Sequence, residues 1–325
     1  MSGHVHGHGP SASENHATGD RGSLGPPRTV EVATGAFAYV QPDGSWWINN
    51  AGFLVGTERV TAVDTASTES RTRAFRQAVG SVSPYPVTTV VNTHHHGDHT
   101  NGNCLFPGAS IIGHVRCREV MVDQRIGGLD AIFGPVEWGD LEVAPPDVTF
   151  SEGLDLWVGD RRVELRYIGA PAHTTGDVVV WLPEEKVLFA GDLLFNGGTP
   201  FALMGSIQGS LAALAAIRNL GPAVIVPGHG GVCGAEAIDS VETYLSWLTS
   251  LARDAHAAGA PPLEAARQAD LGAFGEWLDP ERIVGNLHRA YSELDGLPLG
   301  SPIDLAVAFG DMIAYNGGRP LRCLA

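Results

Sequence analysis

The run Thr93-His94-His95-His96-Gly97-Asp98-His99 packs four imidazoles and a carboxylate into six positions, directly after the apolar stretch Thr88-Thr89-Val90-Val91-Asn92. Core packing does not explain it, because buried histidines need partners and clustered ones repel when protonated. A divalent cation resolves both difficulties: neutral ring nitrogens bind it, and its charge draws in the carboxylate. One short loop cannot complete a coordination sphere, so further ligands must come from other strand ends. His173 lies in Gly169-Ala170-Pro171-Ala172-His173-Thr174-Thr175-Gly176-Asp177, Asp192 in Phe189-Ala190-Gly191-Asp192, and His229 in Val224-Ile225-Val226-Pro227-Gly228-His229-Gly230. Each stands after an apolar run and beside a small residue that lets the backbone turn tightly.

The surrounding texture supplies the elements to position these side chains. Strands are expected over 29–40, 46–55, 60–64, 87–92, 110–113, 156–158, 163–168, 178–182, 187–190 and 223–226, with a hairpin turn at 183–186. Helices are expected over 68–79, 115–124, 205–220, 235–258, 262–268 and 279–294, and a linker rich in Gly and Pro over 126–146. Two strand-rich halves, each closed by helices, imply an α/β chain of packed sheets with helices outside. Residues 1–28 hold Gly, Ser, Pro and His with little to bury and read as a tail; His4, His6, His8 and His16 within it carry no expected function. The catalytic domain is expected over 29–235 and a C-terminal helical cap over 236–325.

Composition narrows the partners. Among 325 residues, 36 are acidic and 20 basic, a net charge of −16 that disfavours nucleic acid and anionic lipid. No apolar run reaches the roughly 20 residues of a membrane span. The start, MSGHVHGHGP, is unlike a secretory signal, and Cys104, Cys117, Cys233 and Cys323 form no CxxC pair. Free thiols and a cytoplasmic location are the expectation.

The order His-x-His-x-Asp-His, then His, Asp and His, resembles the metallo-β-lactamase superfamily over about residues 29–235. The resemblance implies an αββα four-layer sandwich with metals at one edge and a helical C-terminal region. It implies that His94, His96 and His173 hold one metal, that Asp98, His99 and His229 hold a second, and that Asp192 bridges them; His95 is not a ligand. Asp64, in Ala62-Val63-Asp64-Thr65, would orient the histidine loop. Two Zn2+ are implied, iron and manganese being compatible with the same donors. The implied reaction is attack of a bridging hydroxide on a carbonyl, with Asp98 orienting the nucleophile and either Asp98 or a metal-bound water protonating the leaving group.

Asp192 separates subgroups, since β-lactamases of this fold usually carry Cys or Ser there. Hydrolysis of a thioester or ester in a small-molecule or carrier-bound acyl substrate is therefore expected, with a lactone or, inside a producer cell, a β-lactam as alternatives. The run Thr199–Leu214 is similar to actinobacterial members that act as thioesterases or cyclases in aromatic polyketide, hence antibiotic, biosynthesis. Trp46, Trp47, Phe195, Phe201 and Met204 are the candidates to line an apolar cleft, and His288 the candidate to reach it from the cap.

Overall fold

A computed structural model of the chain describes residues 24–325. The tail expected over 1–28 lies almost wholly outside them, and Arg28 already opens the first strand. Two sheets meet face to face. The first runs in chain order: β1 (Arg28–Ala33), β2 (Ala36–Val40), β3 (Ala51–Val55), β4 (Val60–Val63), β5 (Val87–Val91), β6 (Ser110–His114) and β7 (Val148–Phe150). Its first four strands pair antiparallel, and β4 to β7 pair parallel. The second contains β8 (Gly153–Val158), β9 (Arg161–Tyr167), β10 (Val178–Leu182), β11 (Val187–Asn196) and β12 (Val224–Gly230), antiparallel except for the β11–β12 pair.

Leu54, Val91 and Ile112 of the first sheet meet Val163, Leu165 and Val180 of the second in a shared core. Outside the first sheet lies α1 (Glu69–Val82). Thr68 caps it, accepting from the Arg71 N–H, and Thr72, Phe75 and Val79 form the buried stripe that packs on Phe53 and Val90. Three short helices follow: α2 (Gly97–Thr100), α3 (Val115–Met121) and α4 (Asp130–Phe133). Outside the second sheet lie α5 (Ile207–Leu220), α6 (Glu236–Ala257), α7 (Pro262–Gln268), α8 (Arg282–Leu294) and α9 (Leu305–Tyr315). The layers are thus the αββα sandwich, with additional C-terminal helices on one side.

Several expected boundaries move. The strand expected over 29–40 is two strands joined by a turn at Thr34-Gly35. The one expected over 46–55 begins only at Ala51: Trp46 and Trp47 sit in a turn, with Trp47 at φ 67°. β11 continues past Asp192 to Asn196, because its pairing with β12 shifts register at Gly191 and resumes at Phe195 and His229. The linker expected over 126–146 holds α4, and β7 and α9 are additions that the sequence pattern did not reveal. No described helix is long and apolar enough to cross a membrane.

Candidate metal centre

The carboxyl ends of β4 and β5 and the β11–β12 pair face one edge of the sandwich. Asp64 follows β4, the histidine loop follows β5, Asp192 sits at the irregular point of β11, and His229 stands near the end of β12. His173 comes from the β9–β10 connection. Seven expected ligands meet there in two groups, His94, His96, His173 and Asp192 in one and Asp98, His99 and His229 in the other, each with its ligand atoms within 4.8 Å of one another. His95 belongs to neither.

Hydrogen bonds to the outer ring nitrogens decide which nitrogens face inward. His99 donates from Nδ1 to Asp64 Oδ2 at 2.8 Å, and Thr93 donates from both N–H and Oγ1 to the same carboxylate at 2.7 Å. With its proton committed to Asp64, Thr93 Oγ1 accepts from His94 Nδ1 at 3.0 Å. His229 Nδ1 donates to the Gly44 carbonyl at 3.1 Å, and His173 Nδ1 donates to the Phe201 carbonyl. Nε2 is thereby the nitrogen that all four rings turn inward. Asp64 is thus placed where it orients the histidine loop, from a left-handed backbone position with φ 57°.

The inner atoms crowd in a way that suits a cation. Nδ1 of His96 lies 3.1 Å from Nε2 of His94 and 2.8 Å from Nε2 of His173. Asp192 Oδ1 is 3.0 Å from His99 Nε2, yet both atoms are buried without a hydrogen bond. Asp192 Oδ2 lies 3.2 Å from His173 Nε2, 3.4 Å from His229 Nε2 and 3.9 Å from His94 Nε2, so one carboxylate touches both groups. Lone pairs converging at these distances repel unless positive charge lies between them. The residues present therefore fit a pair of divalent cations. Gly228 makes room for this arrangement, since a Cβ there would stand 1.9 Å from Asp192 Oδ1.

Electrostatics divides the groups. Burial, reinforced by neighbouring imidazoles, pushes His94 and His96 well below the ordinary histidine range. Burial also opposes charge on His99 and His229, but Asp192 and Asp98 outweigh it, holding His99 well above that range and His229 at about 9. Burial opposes the charge of Asp192 too, and His229, His99, His173 and His94 together hold its carboxyl well below the usual range. His94 and His96 thus favour neutral nitrogens, whereas His99 and His229 gather positive charge around carboxylates.

A cavity of about 380 Å³ opens on this edge, with His96, Asp98, His173, Asp192 and His229 in its wall. Trp46, Trp47, Phe195, Phe201 and Met204 all line it. Sequence reasoning missed Phe133 from the presumed linker, Phe309 from α9, and Arg282. The Arg282 guanidinium lies 4.1 Å from the Trp46 ring and 5.0 Å from the Phe195 ring, while Glu281 Oε1 accepts from Trp46 Nε1 at 2.7 Å. His288 is a correction: it is not in the cavity wall but pairs with Asp311 of α9, Nε2 to Oδ2 at 2.8 Å. It lies off the buried face of α8, which runs through Ile283, Val284, Leu287 and Ala290.

A family model described as "Metallo-beta-lactamase superfamily" matches residues 44–229. The chain is 31% identical to a hydroxyacylglutathione hydrolase of Rhodospirillum rubrum over 139 residues, 42% of this chain and 45% of that relative. It is 32% identical to the 2,4-dinitroanisole O-demethylase subunit alpha of a Nocardioides strain over 162 residues, 47% of this chain and 45% of that protein. The match thus spans less than half the length of either relative. Among solved structures, a metallo-beta-lactamase from Pontibacter korlensis superposes with TM-score 0.55 at 20% identity, over 68% of this chain and 99% of that one. At that identity the likeness speaks for the fold alone.

Proposed function

The chain belongs to the metallo-beta-lactamase superfamily, and on that premise we propose that it is a dinuclear metal-dependent hydrolase of a thioester or ester with a bulky apolar acyl group. The observation that carries this reading is Asp192, shared between two ligand groups that open on an aromatic cavity. The recurrence of hydroxyacylglutathione hydrolases among the relatives supports the thioester class.

His94, His96 and His173 would hold one zinc ion and Asp98, His99 and His229 the other, with Asp192 between them. Bound divalent cations supply Lewis acidity and a nucleophile at neutral pH. The protein does the rest. Asp98 faces the cavity with Oδ2 3.2 Å from His229 Nε2, placed to orient the attacking water and to pass its proton to the leaving group. Trp46, Phe133 and Phe201, with ring centroids 5.0–5.3 Å apart around Trp46, give the acyl group an apolar wall that excludes water. The substrate is a small-molecule or carrier-bound acyl compound.

The test is a substrate panel on zinc-reconstituted full-length protein: acyl thioesters graded from acetyl to aromatic, aryl esters, lactones and a carbapenem. Rising kcat/KM with the size of the acyl group in the thioester series supports the proposal. Activity confined to the carbapenem or to lactones overturns it.

A further inference from the structure

Arg282, Asn286 and Arg289 are spaced i, i+4, i+7 along α8, so they share one stripe of the helix, and all three are buried. A buried polar group costs free energy unless it is hydrogen-bonded, and although Arg282 Nε and Arg289 Nη1 find no partner, the other polar atoms of these side chains do. Here all three reach the backbone of one neighbouring segment. Arg282 Nη1 donates to the Thr199 carbonyl at 3.0 Å. Asn286 Nδ2 donates to the Pro200 carbonyl at 2.8 Å, and its Oδ1 accepts from the Ala202 N–H at 2.9 Å. Arg289 donates to the Leu203 carbonyl from Nε at 3.0 Å and from Nη2 at 2.7 Å.

The clamped segment is the one that touches the first ligand group from outside. The Phe201 carbonyl, bracketed by these bonds, accepts from His173 Nδ1, and Met204 Sδ lies 3.4 Å from His96 Nε2. The segment is also seated directly on the His173 turn: the Ser206 N–H donates to the Ala172 carbonyl at 2.7 Å, and a Cβ on Gly205 would stand 2.0 Å from that oxygen. Among the described residues no hydrogen bond joins this segment to the second group, which α8 reaches only by packing, Arg282 on Phe195 and Phe195 on the His229 ring. His99 is held by Asp64 and His229 by the Gly44 carbonyl.

We infer that Asn286 and Arg289 are positioning residues for the His94–His96–His173 site: α8 fixes where the Phe201 carbonyl points and so fixes the ring orientation and tautomer of His173. Apolar packing would hold a loop against a helix equally well, but it would leave the direction of a carbonyl free. Donors aimed at Pro200 and Leu203 and an acceptor aimed at Ala202 set that direction. The inference rests on the reading of the two groups as cation sites.

The test loads metal-free full-length protein with Co2+ and follows stoichiometry by elemental analysis, affinity by chelator competition, and the visible d–d spectrum of each site. His173→Ala and His229→Ala supply the single-site reference spectra. Asn286→Ala and Arg289→Met are expected to weaken the His173-containing site by about 10–100-fold and to leave the other unchanged. Arg289→Lys, which restores one donor, is expected to recover most of the loss and covers the case in which the harsher variants fold poorly. Leu248→Ala, in the buried face of α6, is the control for general destabilisation and is expected to lower the melting temperature with both affinities intact. Unchanged affinities, equal weakening of both sites, or the same weakening in Leu248→Ala overturns the inference. Wild-type protein that binds fewer than two Co2+ overturns the metal reading itself, a failure separate from any difference among the α8 variants.

Discussion

The two ligand groups share Asp192 but are anchored in different parts of the molecule. Asp98, His99 and His229 hang from the sheets: Asp64 at the end of β4 grips His99, and the Gly44 carbonyl grips His229. His94 belongs to the same framework through Thr93 and Asp64. His173 and His96 instead meet a loop whose carbonyls are held by α8, 86 positions further along the chain. Strand ends thus set half of the centre, while the other half depends on helices outside the matched region 44–229. The C-terminal helices do two things at once, since Arg282 and Phe309 of the same layer also wall the cavity.

The largest effect falls where the groups join. Asp192→Ala is expected to drop turnover to background and metal content from two ions toward one, because the carboxylate lies within 3.4 Å of imidazoles in both groups. Two ions retained at wild-type affinity would show that the groups are independent. Gly228→Ala attacks the same point sterically. A methyl 1.9 Å from Asp192 Oδ1 has to displace the carboxylate, so the variant is expected to resemble a milder Asp192→Ala in both assays.

Asp64→Ala separates the anchors. It removes the partner of His99 Nδ1 and of Thr93, so metal affinity at the sheet-held group is expected to fall by about 10–100-fold. Less change is expected at the His173-containing group, which keeps the Phe201 carbonyl and loses only the indirect hold on His94. Chelator competition on the two cobalt spectra reads both. Selective weakening of the His173-containing group would reverse the assignment of anchors. Trp46→Ala should act on the cavity alone, raising KM for large acyl groups about tenfold while metal content stays at two. Its ring packs on Phe133, Phe201 and Arg282 and contributes no ligand.

The expected ligands were legible in the sequence through the histidine cluster after one strand and the repetition, in order, of a strand end beside a small residue at His173, Asp192 and His229. Asp64 was marked by the family resemblance of Ala62-Val63-Asp64-Thr65 rather than by a signal of its own. The rest depended on contacts made at a distance. Nothing in the local sequence marks Arg282, Asn286 and Arg289 as buried, and the loop that they bond explains their burial. The segment over 126–146 read as a linker because its Gly and Pro residues hide an apolar set; α4 is too short, at four residues, for periodicity to reveal it. Trp46 and Trp47 read as strand because aromatic residues favour strands. The turn that brings them to the cavity is held by partners remote in sequence, with Asn50 Nδ2 donating to the carbonyls of Pro227 and Gly230.

His288 gives the smallest expected effect and tests the limit of the comparison. The helix that clamps the ligand loop also carries this histidine, so proximity in sequence would place it in the cleft with Arg282. The structure directs it elsewhere, to Asp311 between α8 and α9, with both side chains partly exposed. A partly exposed surface pair of this kind contributes about 1 kcal/mol. His288→Ala is therefore expected to leave both metal affinities and kcat/KM at wild-type values, with a small drop in melting temperature as its only trace. A tenfold fall in kcat/KM at full metal content would mean that the His288 side of α8 reaches the substrate. The division of that helix into a buried stripe that serves the centre and a flank that only joins two helices would then have to be redrawn.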